Sequence, residues 1–393
     1  MDLKDYIEEK KELYELVIQY IDDESDDKNV VFENLIQLIE EINFDVNHSE
    51  FRLLLHLIVQ ISNNHYRGTN FFAKIEAILS KLKIKQTFSN SEIFKIFKSN
   101  KRILLYLIQS KILEIDQIIA DQIIDLDYSK FLYTEVKAFI KDDKKKEEIE
   151  NHSFEADRQM AENDSIIGKL IRADSVEEFI AYVNKSNINL NLRIPPSIYE
   201  TNSYLLKLEK LPYLIEYAAF FGAIQIFEFM LKSEVELTSS IWNFALHSNN
   251  PDLIHLLEEY TLEPESSNYQ ICLSHAILFH NNSFARYIVE NKLDEQVNLD
   301  TFCNLDEIVI DGIFSSYNLH FFPSDFNNRT IFYCLIENYY TDILIAIVSS
   351  RILKSDSIVI FKLQSYFCNS KTKNFNHIQN KKIIFYCVSK PNL

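Results

Sequence analysis

Apolar residues recur at three- and four-residue intervals along most of this chain. Leu13, Leu16, Val17 and Tyr20 form one stripe, and Leu35, Leu38, Ile39 and Ile42 a second. Phe51, Leu54, Leu55, Ile58 and Ile61 make a third; Phe71, Phe72, Ile75, Ile78, Leu79 and Leu82 make a fourth. This spacing puts each set on one face of an α-helix. Polar breaks at Asp22 to Asn29, Asn43 to His48 and Asn63 to Asn70 separate the stripes. Ser89 and Glu92 have the spacing of a capping box, which predicts the start of a helix carrying Ile93, Phe94 and Phe97. Helical segments are also predicted around residues 103–113, 115–126 and 131–140. Lys141 to Glu150 is a run of mixed charge, either a flexible linker or a polar connecting helix, the alternating signs favouring the helix. The pattern predicts a helical N-terminal domain over residues 1–155, either a bundle or an α-solenoid.

Beyond residue 155 the pattern repeats itself. Leu211 to Tyr260 contains two copies of one plan: a short apolar helix, a tight turn, and a second apolar helix. Aligning the small residue of each first helix picks out Ala218, Ala245, Ala276 and Cys334, at intervals of 27, 31 and 58 residues, the last being two units. Ile171 takes the same place one unit earlier, after which a longer insertion is needed. The turns then fall at Ser175, Gly222, Asn249, His280 and Asn338. Gly and Asn tolerate a left-handed backbone, and His is enriched there, so different side chains answer one backbone demand. Asn250 followed by Pro251 predicts a helix start, as does Ser175 with Glu178. Residues 300–322 should hold a further unit, although no alignment places it.

One such unit cannot fold alone. Burying a large apolar side chain is worth roughly 1.5–3 kcal/mol, while ordering each residue costs about 1–2 kcal/mol of backbone entropy. The units must therefore stack, each shielding the next from water. The small residues at 218, 245 and 276 are what let neighbouring first helices approach.

The stretch Ile215-Glu216-Tyr217-Ala218-Ala219-Phe220-Phe221-Gly222-Ala223-Ile224-Gln225-Ile226-Phe227, followed by Met230 and Leu231, resembles the ankyrin repeat core. Tyr213-Leu214 replaces that motif's opening Thr-Pro, and the intervals are shorter than the usual ~33 residues. Together with Pro196 to Ser203, the stretch is similar to a large family of ankyrin-like proteins of unknown function, greatly expanded in trichomonad protists. The resemblance implies a helical N-terminal region followed by degenerate ankyrin repeats. The expected fold is all-α: a helical domain at 1–155, a short degenerate ankyrin-repeat stack at 156–350, and a C-terminal cap or irregular tail at 351–393. The tail departs from the family pattern, with strand-like runs at Ile358 to Phe361 and Ile383 to Tyr386.

Composition narrows the function. Only four glycines occur in 393 residues, which argues against Rossmann and P-loop architectures. The net charge of −18 disfavours non-specific nucleic-acid binding. One basic stretch runs against it, with Lys81, Lys83, Lys85, Lys95, Lys98, Lys101, Arg102 and Lys111. A solvated helix face is its simplest reading; an RNA or anionic-lipid site is the alternative. Five widely spaced cysteines with no CxxC pair fit a reducing compartment. The charged N-terminus lacks an apolar signal core and no apolar run approaches the roughly 20 residues of a spanning helix, so the expected location is cytoplasmic.

Candidate chemistry is thin. Cys272, His275 and His280 have types that zinc accepts, but no second cluster completes a tetrahedral set, and His275 reads as a core residue. Trp242 aligns with Ile215 and reads as core. His247 and His255 read as hydrogen-bonding within the stack. Cys303 and Cys334 lack the paired histidine that a nucleophile needs. No catalytic, cofactor-binding or metal-binding residue is expected. The expectation is a non-catalytic interaction scaffold that binds a protein partner through its concave face and the turns between repeats, with Glu236, Thr238, Ser239, Glu263, Glu265, Asn268, Asp325 and Arg329 as contact residues. The alternative is an enzyme or metal-binding protein whose site lies in the N-terminal domain or at the domain junction.

Overall fold

The computed structural model of the protein describes residues 3–24, 28–42, 48–141, 155–260, 262–264, 268–299, 302, 304–322, 334, 335 and 338. The connecting run at Lys141 to Glu150 and the strand-like stretches of the tail lie outside these residues, apart from Lys141 itself. Among the described residues there are 20 α-helices, one short 3₁₀ turn and no β-strand, with an isolated bridge between Arg193 and Tyr213. The all-α expectation holds.

The N-terminal half contains α1 (Leu3–Asp22), α2 (Lys28–Ile42), α3 (His48–Asn64), α4 (Phe71–Lys81), α5 (Ile84–Thr87), α6 (Asn90–Phe97), α7 (Lys101–Gln109), α8 (Gln117–Asp125) and α9 (Tyr133–Val136). Each predicted apolar stripe becomes a buried face. Ser89 caps α6 through a complete capping box with Glu92, and Asn100 and Asp116 cap α7 and α8. The segment predicted helical over 131–140 is reduced to the single turn of α9.

The second half contains α10 (Glu155–Met160), α11 (Ile166–Arg172), α12 (Val176–Ser186), α13 (Ser203–Lys207), α14 (Leu214–Phe221), α15 (Ile224–Lys232), α16 (Ile241–Ala245), α17 (Pro251–Glu259), α18 (Tyr269–Leu278), α19 (Asn282–Lys292), α20 (Glu307–Ser315) and the 3₁₀ turn Leu319–Phe321. The first helices α11, α14, α16, α18 and α20 pack in that order, each against the next, and each is followed by its own second helix or turn. This packing is compatible with the stacking that the repeat pattern predicts. Ala218, Ala245 and Ala276 are fully buried, with no solvent exposure.

A left-handed residue closes the first helix of each of these five units. Asp174, Gly222, Asn249, His280 and Tyr317 have φ of 46°, 70°, 53°, 57° and 58°. In four units the next backbone N–H reaches back five residues: Ser175 to Leu170, Ala223 to Ala218, Asn281 to Ala276 and Asn318 to Ile313, all within 3.1 Å. That is the Schellman ending of a helix. Two expectations shift accordingly. The first unit is framed on Leu170 and Asp174, one residue before Ile171 and Ser175, and Ser175 makes no side-chain cap. The unit without an alignment is α20, framed on Ile313 and Tyr317.

The residue after the left-handed position joins neighbouring units. Asn250 Nδ2 donates to the Gly222 carbonyl at 3.3 Å, Asn281 Nδ2 to Leu246 at 3.2 Å, and Asn318 Nδ2 to Ile277 at 3.1 Å. In the first unit Asp174 does the joining from the acceptor side, taking the N–H groups of Gln225 and Ile226 that open α15. Buried apolar residues from Ile7 to Leu335 form one continuous core, so the N-terminal helices and the stack share a single interior.

Candidate functional site

Two surfaces are built well enough to carry a function: the loops between units, and the seam where the N-terminal helices meet the stack. The loops are posed from below by the preceding first helix. Glu216, 4% exposed on α14, accepts from the Tyr213 N–H at 2.8 Å and from the Thr238 and Ser240 hydroxyls, each at 2.7 Å. Trp242 of α16, fully enclosed, donates its indole N–H to the Leu262 carbonyl at 2.8 Å. Gln270 of α18 donates to the Asn304 carbonyl and accepts from the Asp306 N–H. Each loop is therefore anchored at a described residue by a group whose hydrogen bond is completed there.

The expected contact residues divide on this geometry. Glu236, Ser239 and Glu263 are exposed at the loop tips. Thr238 is turned inward onto Glu216, and Asn268 caps α18 by accepting from the Gln270 N–H, so both serve the loop's shape. Glu265, Asp325 and Arg329 lie outside the described residues. The same edge carries exposed acids that were not expected as contacts: Glu234, Asp294, Glu295, Asp306 and Glu307.

The face of the row of first helices, expected to bind a partner, is covered by the chain itself. The insertion before α14 lays Tyr204 of α13 across three successive units, its ring 6.1 Å from Phe220, 5.7 Å from Phe244 and 5.1 Å from Phe279. α3 packs against α13, and α1 packs against the 3₁₀ turn.

Polar bonds stitch the seam. Tyr14 and His280, 266 residues apart in sequence, meet at 3.1 Å, and Asn282 donates to the same Tyr14 oxygen. Arg67 donates to the Ala161 carbonyl and to Thr201. Arg172 pairs with Glu162 at 2.7 Å and donates to Tyr217. Burial lifts the Glu162 carboxyl above its ordinary range, against the pull of Arg172 and Arg67.

A cleft of about 330 Å³ opens along this seam, with Asp22, His65, Tyr66, His247, His280 and Arg286 among its walls. Its histidines differ in what their nitrogens face. His247 presents Nδ1 to the Phe220 carbonyl and Nε2 to the Asn202 amide, one acceptor and one donor, as a neutral ring requires. Burial pushes it down to about 3. His65 presents Nδ1 to the Phe279 carbonyl at 2.9 Å and Nε2 to the Asp22 carboxylate at 2.7 Å. His280 keeps Nε2 buried with no partner.

The remaining candidates resolve plainly. Lys101 and Arg102 do not belong to a solvated basic face. Lys101 is buried and donates to the Ile198 carbonyl at 2.6 Å, and burial pushes it down to about 8. Arg102 is buried against Glu76 and the Gln159 carbonyl. Lys85 pairs with Glu114. Burial pushes the Cys272 thiol up to about 12, so it is no thiolate at neutral pH. The His275 ring lies beside Tyr204 and Phe279. His255 is on the surface, 3.5 Å from Glu258. Among the described residues, no three His, Cys, Asp or Glu side chains converge as a metal site, and no helix is long and apolar enough to cross a membrane.

Compared with family models, with curated proteins and with solved structures, the chain matches none. The ankyrin-like reading therefore rests on the chain's own residues.

Proposed function

We propose that this protein is a non-catalytic recognition module that binds a protein partner through the loops between its helix pairs, on an ankyrin-like plan. The observation that carries the reading is the loop support. Glu216, Trp242 and Gln270 anchor described residues of the loops, on which Glu236, Ser239 and Glu263 are exposed, Glu263 also accepting from the Tyr269 hydroxyl. A loop anchored at such a point has less conformational freedom to lose on binding, which helps a scaffold gain affinity without deforming. The covering of the first-helix face by Tyr204 and the N-terminal helices leaves the loop edge as an exposed side of the stack. The acids along that edge favour a partner with a basic surface.

The test compares affinity capture from native lysate by the intact protein, by the triple variant Glu236→Lys, Ser239→Arg, Glu263→Lys, and by a control reversed at Asp121 and Asp125, exposed on α8. A protein retained by the intact chain and the control but lost by the triple variant is the expected result. Equal retention by all three removes the loops from the function.

The rival reading, an enzyme or metal-binding protein with a site at the junction, maps onto the seam cleft and its unpartnered His280 Nε2. Metal analysis of the purified full chain separates the two. Stoichiometric metal, lost on His280→Ala substitution, would favour the rival.

A further inference from the structure

We propose that His65 is a charge-dependent latch: as an imidazolium it ties Asp22 of α1 to the Phe279 carbonyl at the end of α18, and as a neutral imidazole it can hold only one of them. A backbone carbonyl only accepts a hydrogen bond, and so does a carboxylate. With Nδ1 at 2.9 Å from the one and Nε2 at 2.7 Å from the other, both ring nitrogens must carry hydrogen. Removing one proton would turn a lone pair toward an acceptor at bonding distance. His247, on the same seam, meets one acceptor and one donor and makes no such demand.

The groups around the ring fit this assignment. From α1, Asp22 supplies the counter-charge. From α4, Phe71 contributes a ring 6.4 Å away, and Lys74 donates to the Ile21 and Asp23 carbonyls, fixing the end of α1 on which Asp22 sits. From the stack, the His280 ring meets His65 edge-on at 6.2 Å, and burial holds it well below the ordinary histidine range, so it adds no competing charge. Arg67, two residues along from His65, is turned to Ala161 and Thr201. On the far side of the cleft, Arg286 and His320 bond each other, and His320 is paired with Glu15. Burial opposes the charge on His65, yet the charge and hydrogen bond of Asp22 together with the Phe279 carbonyl outweigh it and hold the proton above the usual range.

The sign follows by linkage. The closed seam binds a proton that the open seam gives up, so the latch is at full strength below the ordinary histidine range near 6.5. It weakens as pH rises from there through the raised midpoint, and levels off above it. Opening uncovers the Phe279 and His247 side of the first helices, the surface that α1 and α3 now help to close.

The test uses the full chain and two readouts. Long-range ¹H–¹⁵N spectra at pH 7, assigned with His65→Gln, should show both His65 nitrogens protonated while His247 is neutral. Amide exchange over Phe279 to Asn282 and α1, corrected for intrinsic rates, should lose protection by up to tenfold per pH unit between 6.5 and the His65 midpoint. Asp22→Asn should lower that midpoint and shrink the slope; His65→Gln should abolish the slope that His65 contributes. A neutral His65 at pH 7 overturns the proposal, as does protection whose pH dependence is the same in the wild type and in His65→Gln. If His65→Gln fails to fold, the wild-type spectra and Asp22→Asn decide alone.

Discussion

At the scale of single residues, the units are organised by a pair of positions: one residue with positive φ and one that reaches to the neighbouring unit. Gly222 shows the cost of the first. Its φ is +70°, and an added Cβ would lie 3.2 Å from Cβ of Ser248. Gly222→Ala should therefore cost about 1–2 kcal/mol from the left-handed backbone, with crowding adding to it. The second position is sharper. Asn318 has no exposed surface, and its amide is the partner of the buried Ile277 carbonyl. Asn318→Ala should destabilise by roughly 1–3 kcal/mol, the penalty of a buried acceptor left without a donor. Urea melts of both variants against wild type give the measurement, and an unchanged midpoint for Asn318→Ala would mean the bond does not join the units. Gly222, Asn249 and His280 were legible in sequence because glycine, asparagine and histidine share a tolerance for positive φ. Asp174 and Tyr317 were not. Tyrosine in that conformation carries no sequence signal of its own, which is why α20 had no alignment. The clue lay one residue on, in the recurrence of asparagine at 250, 281 and 318.

At the scale of elements, close approach of the first helices depends on small side chains between them. Ala218 has no exposed surface and sits in the row between α11 and α16. Ala218→Leu inserts three heavy atoms at a position with no exposed surface, and should destabilise by about the 1–3 kcal/mol typical of an overpacked core. Calorimetry would register it as a lowered Tm; an unchanged Tm would show that the row has slack there. Apolar periodicity predicted these helices well because burial of one face decides both their existence and their register. It could not predict which elements cover the row. Tyr204 is one aromatic residue in an insertion that repeats nothing, and its contacts with Phe220, Phe244 and Phe279 exist only after three units have stacked. The loop residues were half-legible for a related reason. Thr238 is polar and lies in a loop, like Ser239, and only Glu216 beneath it turns its hydroxyl inward.

Across the whole molecule, the seam carries histidines buried in the neutral state. Burial pushes His247 down to about 3 and His56 down to about 4, and drives His280 well below the ordinary value. His275 of α18, half-buried, is pushed down to about 4 by the same desolvation. In the unfolded chain each would take up a proton near pH 6.5. Stability should therefore fall as pH drops from 6.5 toward 4, with each group contributing about 1.4 kcal/mol per pH unit where only its unfolded form is protonated. Urea midpoints at pH 7, 6 and 5 test this, and equal midpoints at 7 and 5 would contradict neutral burial. The basic stretch between Lys81 and Lys111 belongs at this scale too. Lys101 and Arg102 are spent on reaching the second half of the chain, at Ile198 and Gln159. Such long-range partners leave no mark on local sequence.

Tyr14 waits for His280. The two are 266 residues apart, and a ribosome adding about 5–20 residues per second needs on the order of 13 to 50 seconds to make the intervening chain. During that interval α1 and α3 have emerged with the faces that later meet the stack still bare. The newborn chain must shelter those faces by other means, through transient pairing among the early helices or in the care of a chaperone, until the last units arrive to close over them.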